Sequence, residues 1–133
     1  MHPEQINALV LAYLGDAILE VLVRDHLVMD LGVLKPNDLQ KRAVSYVGAK
    51  SQAAFMRACK NEDWLSEEEM GWYRRGRNTK GRRAIKNLDV MTHNESSGFE
   101  AVLGTLHILG NEDRIQEIFE LYCRFIETEK EAL

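Results

Sequence analysis

The sequence predicts an all-α fold, a helical bundle, on three observations. Apolar residues recur at three- and four-residue steps through most of the 133 positions, the spacing of one helix face. No stretch alternates apolar and polar residues over the length of a strand. Gly32, Pro36, Gly48, Gly76 and Gly110 punctuate the chain at helix-sized intervals, where helices start and stop.

The first helical block covers residues 5–29, with a bend allowed near Gly15. Ile6, Val10, Tyr13, Leu14, Ala17, Ile18, Val21 and Leu22 form its apolar stripe, with one acid, Asp16, set among them. Gly32 is a helix stop, and Pro36 suits an early helical position, where its missing N–H costs nothing. A short helix over about Asp38–Val47 turns Leu39, Ala43, Val44 and Val47 inward, and Gly48 breaks it. The next, about Lys50–Cys59, packs Ala53, Ala54, Phe55 and Ala58. Asn61–Leu65 is a turn. Ser66–Glu69 reads as a capping box, in which Ser66 accepts from the backbone N–H at position 69 and Glu69 reaches back. That helix runs to about Arg75, with Gly76 as its end. Asn78–His93 has no clean period and reads as a long basic loop, with a helical turn allowed around Lys80–Lys86. Ser96 or Ser97 caps a helix to about Leu109, lined by Phe99, Val102, Leu103, Leu106 and Leu109. Gly104 in its middle costs ~1 kcal/mol against Ala, so it serves close helix packing. Gly110 ends that helix. Asn111 caps the last one, 112–128, striped by Ile115, Ile118, Phe119, Tyr122, Phe125 and Ile126.

Length and composition fit one domain over residues 1–133, with 45% hydrophobic and 29% charged residues. No apolar run reaches the ~18 residues that span a membrane, and the N-terminus MHPEQIN has no signal-peptide core, so a cytoplasmic protein is expected. Cys59 and Cys123 sit in helical patterns without a CxxC partner, so they read as reduced packing residues and no zinc motif is present. The net charge of −4 does not make the whole chain a polyanion binder; its distribution matters more. From Met70 to Leu88 there are seven basic residues and no acid: Arg74, Arg75, Arg77, Lys80, Arg82, Arg83 and Lys86. Glu112–Glu131 carries seven acids against three bases. The asymmetry predicts a basic surface meant for an anion.

Asp16 and Glu100 are the candidate chemical pair. A lone carboxylate among apolar positions is costly unless it is paired, hydrogen-bonded or bound to a metal. Read alone, Asp16 is either such a paired acid or a functional one, and Glu100 is either an acid near a helix start or a ligand. Glu20, one turn after Asp16, either supports a metal ligand from behind or pairs with a basic side chain. His26, His93 and His107 have no metal-ligand spacing with each other and read as structural or exposed. Trp64, Trp72 and Tyr73 read as helix packing.

Leu11–Glu20 (LAYLGDAILE) resembles the signature of the ribonuclease III catalytic domain, and Gly98–Gly104 (GFEAVLG) resembles that family's second acidic motif. Asp16 and Glu100 stand 84 residues apart in the family's order. Arg74–Asn78 (RRGRN) and Lys86–Val90 (KNLDV) resemble the short bacterial variant, Mini-ribonuclease III. The resemblance implies a homodimeric endonuclease in which Asp16 and Glu100 are catalytic and hold Mg²⁺, with Mn²⁺ as a substitute. Such an ion takes oxygen ligands, keeps several waters and lowers the pKa of a bound water. It implies hydrolysis of double-stranded RNA to a 5′-phosphate and a 3′-hydroxyl. The precursor of large-subunit ribosomal RNA is the expected substrate, with a ribosomal protein as a further partner. Arg74, Arg75, Arg77, Asn78, Lys80, Arg82, Arg83 and Lys86 are the expected RNA contacts, since Arg forks match phosphates and A-form RNA is read by shape, phosphate and 2′-hydroxyl. Tyr13 falls at the family's subunit interface; core packing is its alternative. The chain leaves no room for a separate double-stranded-RNA-binding domain. Full-length ribonuclease III has further acids where this chain has Leu9, Ala12 and Ser97, which implies a leaner metal site. That thin set also motivates an alternative, a related module that holds structured RNA without cutting it. A third class, an all-α nucleotide hydrolase, would need ExxE or His-Asp ligand pairs that the sequence lacks.

Overall fold

The computed structural model describes residues 1–79 and 89–132, with side chains through Glu129. The expected contacts Lys80, Arg82, Arg83 and Lys86 lie outside the described residues. The chain folds into α1 (Ala8–Asp25), α2 (Pro36–Val47), α3 (Ala49–Glu62), α4 (Glu67–Asn78), α5 (Val90–Ile108) and α6 (Glu112–Ala132), and the described residues contain no strand. A short 3₁₀ turn, Pro3–Gln5, precedes α1, and a π-type turn, His26–Asp30, closes it.

Local chemistry explains most of the boundaries. The Asn7 side chain accepts from the backbone N–H of Leu9 at 2.8 Å and starts α1. Pro36 opens α2. Gly48, in extended conformation, ends α2 and starts α3 without an intervening loop. The capping box of α4 forms as expected, with Glu69 N–H donating to Ser66 Oγ at 3.1 Å and Ser66 N–H donating to Glu69 Oε1 at 2.9 Å. Gly110, at φ +74°, turns the chain from α5 into α6.

α5 differs from its expected form. It begins at Val90, capped by Asp89, whose carboxylate accepts from the backbone N–H and the hydroxyl of Thr92, each at 2.8 Å. Ser96 and Ser97 are therefore not caps but buried residues of the second turn. The polar run Thr92–Ser97 looks like a loop because nothing in it is apolar, yet it is paired inside the protein. Ser96 Oγ donates to Gln52 Oε1 at 2.9 Å, and Glu95 accepts from Arg57 at 3.0 Å. α4 likewise runs past Gly76 to Asn78.

α5 is the axis of the fold. It packs most extensively on α1, then on α4, then on α3. Its residues from Glu95 through Leu106 are all buried. Beside it Phe55, Phe99 and Tyr122 form an aromatic cluster with ring centroids 5.0–5.4 Å apart. Trp64 and Trp72 are partly buried against this core and Tyr73 lies within it, as packing residues. Cys59 and Cys123 are buried free thiols.

Candidate active site

The site begins with two glycines. α1 and α5 cross so closely that a Cβ on Gly15 would lie 1.7 Å from the backbone carbonyl oxygen of Glu100. One on Gly104 would lie 1.9 Å from the carbonyl oxygen of Leu11. Only hydrogen fits at either place. Gly15 therefore serves close approach rather than a bend. α4 meets α5 in the same way: a Cβ on Gly76 would come within 2.7 Å of Ala101 Cβ, and one on Gly98 within 2.6 Å of the Tyr73 ring.

The tight crossing sets the neighbourhood of the two acids. Asp16 follows directly on Gly15, and Gly15 touches the backbone of Glu100. Glu100 is only 5% exposed. Asp16 is exposed, which corrects its expected place among buried apolar residues. The buried stripe of α1 is Leu11, Gly15, Leu19 and Val23, continued by Leu27, every fourth residue. Val10, Tyr13, Ala17 and Val21 of the expected stripe instead face outward, with Tyr13 77% and Val21 68% exposed. Both faces of α1 are apolar, so periodicity alone does not choose between them. Val44 of α2 and Leu109 after α5, also expected inside, are exposed.

The pair is oxygen-only and small. Leu9, Ala12 and Ser97 carry no carboxylate, so a hard cation held by Asp16 and Glu100 would take those two groups and fill its remaining positions with water. That composition fits Mg²⁺, which binds through one or two carboxylates and retains waters. Glu20 accepts from Arg24 at 3.4 Å on the surface of α1, the structural alternative of the two expected for it.

The basic residues divide by task. The Arg75 guanidinium donates to the carbonyl of Pro3 at 3.1 Å and to that of Ile6, tying the N-terminal turn to α4. Arg77 lies over the Tyr73 ring, 5.4 Å from its centroid, and donates to the Asn78 side chain at 3.1 Å. Arg74 is exposed, 3.8 Å from Glu67. Two bases of α3, Arg57 and Lys60, line a pocket of about 250 Å³ together with Arg74, Arg77, Tyr73 and Glu95, and Glu95 pairs with Arg57 at 3.0 Å. Their spacing of three marks them only as one polar face of α3; their convergence with α4 needs the fold.

Behind the site, Arg114 grips Glu69 with two hydrogen bonds of 2.8 Å and donates to the Trp64 carbonyl at 3.1 Å. Burial alone would push the Glu69 carboxyl up, but the Arg114 and Ser66 hydrogen bonds hold it below the usual carboxylate range. The Tyr122 hydroxyl donates to the Tyr46 carbonyl. Burial raises its pKa, and the nearby Cys123 and Glu100 add to the rise.

The ribonuclease III domain family matches residues 9–111. The Mini-ribonuclease 3 of Enterococcus faecalis is 46% identical over 115 residues, covering 86% of this chain and 86% of that protein. The Mini-ribonuclease 3 of Staphylococcus aureus is 41% identical, covering 88% and 87%. A crystal structure of a Fusobacterium nucleatum protein superposes with a TM-score of 0.79 at 28% identity, covering 90% of this chain and 93% of that one.

Proposed function

We propose that this chain, which belongs to the ribonuclease III family as an endoribonuclease of its Mini-ribonuclease III branch, cleaves double-stranded RNA at Asp16 and Glu100. The observation that carries the reading is the crossing at Gly15, which brings the residue beside Asp16 into contact with the backbone of Glu100. These are the two acids of the family's motifs.

Water adds to the scissile phosphorus, the bond from phosphorus to the 3′ oxygen breaks, and that oxygen leaves with a proton. The products carry a 5′-phosphate and a 3′-hydroxyl. Asp16 and Glu100 would hold Mg²⁺, or Mn²⁺ in its place. When bound, the ion offsets the phosphodiester charge and lowers the pKa of a coordinated water. Asp16 reaches from the exposed side of α1, and Glu100 is fixed by the rigid, buried α5. Arg74, Arg77 and Asn78, with Lys80, Arg82, Arg83 and Lys86 after them, bind the duplex backbone. The pocket supports adding Arg57 and Lys60 to this surface. Arg75 contributes by holding α4 to the N-terminal turn.

The outward apolar face of α1, with Val10, Tyr13, Ala17 and Val21, supports a homodimer in which a second copy covers it. Two sites, one per protomer, would then cut both strands. We assign residues 1–133 to one ribonuclease III-like domain acting in the cytoplasm. The natural duplex on this reading is a large-subunit ribosomal RNA precursor, presented with a ribosomal protein. No described helix is long and apolar enough to cross a membrane.

The test is cleavage of a long RNA duplex with Mg²⁺. Wild type is expected to cut. Asp16→Asn is expected to lose at least about a hundredfold in rate while still retarding the duplex in a gel, because several kcal/mol of transition-state stabilisation leave with the carboxylate. Undiminished cutting by Asp16→Asn would remove that residue from the mechanism.

A further inference from the structure

The end of α1 carries a second group of ligand-bearing side chains. His26, first residue of the π-type turn, faces Cys123 and Glu127, one turn apart on α6. Among the described residues, these are the three His, Cys, Asp or Glu side chains whose ligand atoms all lie within 4.8 Å of one another. Two of the three are held by further groups. The Nδ1 edge of His26 lies 2.8 Å from Asp30 Oδ2, and the Tyr46 hydroxyl donates to Glu127 Oε2 at 2.7 Å. Tyr46 and Phe119 pack edge-on against the imidazole, with centroids 5.8 and 5.9 Å away, which fixes the ring plane. The group lines a surface pocket of about 280 Å³, so an ion has a path to it.

We propose that His26, Cys123 and Glu127 form a Zn²⁺ site separate from the Asp16–Glu100 pair, with Asp30 and Tyr46 as positioning residues. The donor set selects the metal. Nitrogen, sulfur and oxygen together suit a borderline ion, whereas Mg²⁺ takes oxygen alone. A carboxylate on one imidazole nitrogen is the usual orienting contact of a histidine ligand, since it leaves the other nitrogen's lone pair for the metal. That second nitrogen, Nε2, is 2.8 Å from Glu127 Oε2, so an ion between them would take the place of a proton. Zinc bonds of about 2.0–2.3 Å place tetrahedral ligands roughly 3.5 Å apart. Small side-chain shifts meet that spacing. Binding transfers the Cys123 thiol proton, and any proton on Nε2, to solvent. Thiolate and carboxylate then neutralise the ion, and water completes the tetrahedron. An ion there clamps the end of α1 to α6, about 15 Å along α1 from Asp16. Local spacing gives no sign of it, because His26 and Glu127 are 101 residues apart in sequence.

The test strips the full chain with a chelator and titrates it with Co²⁺ and then Zn²⁺ near neutral pH. One equivalent of Co²⁺ is expected to produce an intense thiolate-to-cobalt absorption that Zn²⁺ abolishes, and Zn²⁺ is expected to raise Tm. Cys123→Ser should lose the band. His26→Gln and the surface variant Asp30→Asn should each weaken Zn²⁺ binding by about tenfold or more. Asp16→Asn should leave the band in place, which separates this site from the catalytic pair. Circular dichroism checks that each variant is folded; if Cys123→Ser does not fold, Asp30→Asn decides. A wild type without the band, a band that survives in Cys123→Ser, or unaltered affinity in folded Asp30→Asn would overturn the assignment.

Discussion

α5 and α6 are the two longest helices, and they are built on opposite plans. α6 is two-sided. Ile115, Ile118, Phe119, Tyr122 and Ile126 are buried, while Gln116, Glu117, Glu120 and Arg124 face water. α5 has no water-facing side over most of its length and fits between α1, α4 and α3 by being thin where they cross. Large apolar residues hold α6 by area. α5 is held by the absence of side chains at Gly98, which faces Tyr73 and Gly76 of α4, and at Gly104, which faces Leu11 of α1, while Gly15 of α1 lies against Glu100. A helix anchored by area tolerates change gradually. A helix seated by backbone contact does not, and that rigid element is the one that carries Glu100.

The comparison can be broken first at the crossing. Gly104→Val puts a side chain where the Leu11 carbonyl stands, and a loss of about 3 kcal/mol or more, or failure to fold, is expected in urea denaturation. A folded variant of unchanged stability would mean that α1 and α5 are not in backbone contact. On α6, Ile118→Ala should cost about 3 kcal/mol by leaving a cavity, with the helix kept in circular dichroism. Glu69→Gln comes next, at about 2 kcal/mol near pH 7, since it removes a charge-assisted pair with Arg114. Its pH dependence has a definite sign. The folded-state pKa of Glu69 is depressed, so its stabilisation is present above the unfolded value of about 4.3 and is lost as pH falls through the lower folded value. The stability gap between wild type and Glu69→Gln should therefore close below about pH 4. Asp89→Ala, at the exposed cap of α5, should lower Tm least of the four, because the buried remainder of the helix holds it in place.

The same contrast governs what could be read from sequence. The stripe of α6 was legible because it is amphipathic, and the capping box of α4 because both partners lie within four residues. Gly104 announced close packing, though not its partner Leu11. The start of α5 was hidden because Thr92, His93, Glu95, Ser96 and Ser97 are polar yet buried, and the partners of Ser96 and Glu95, Gln52 and Arg57, lie about 40 residues away. α1 was assigned the wrong inner face because Val10, Tyr13 and Val21 are as apolar as Leu11, Leu19 and Val23. That error placed Asp16 among buried residues, whereas it is exposed. The four bases on α3 and α4 that share a pocket were half visible, as Arg74 and Arg77 without Arg57 and Lys60.

The crossing of α1 and α5 also sets an order in time. Helices α2, α3 and α4 can each coil from neighbouring residues, but Gly15 meets Glu100 only by closing a loop of about 85 residues, an entropic step that comes late. A chain emerging from the ribosome has therefore made Gly15 long before the Glu100 backbone exists for it to pack on. Until α5 is synthesised and seated, the nascent polypeptide carries α1 without the helix that fixes its place, and on the reading proposed above the capacity to cleave RNA would arrive with completion of the fold.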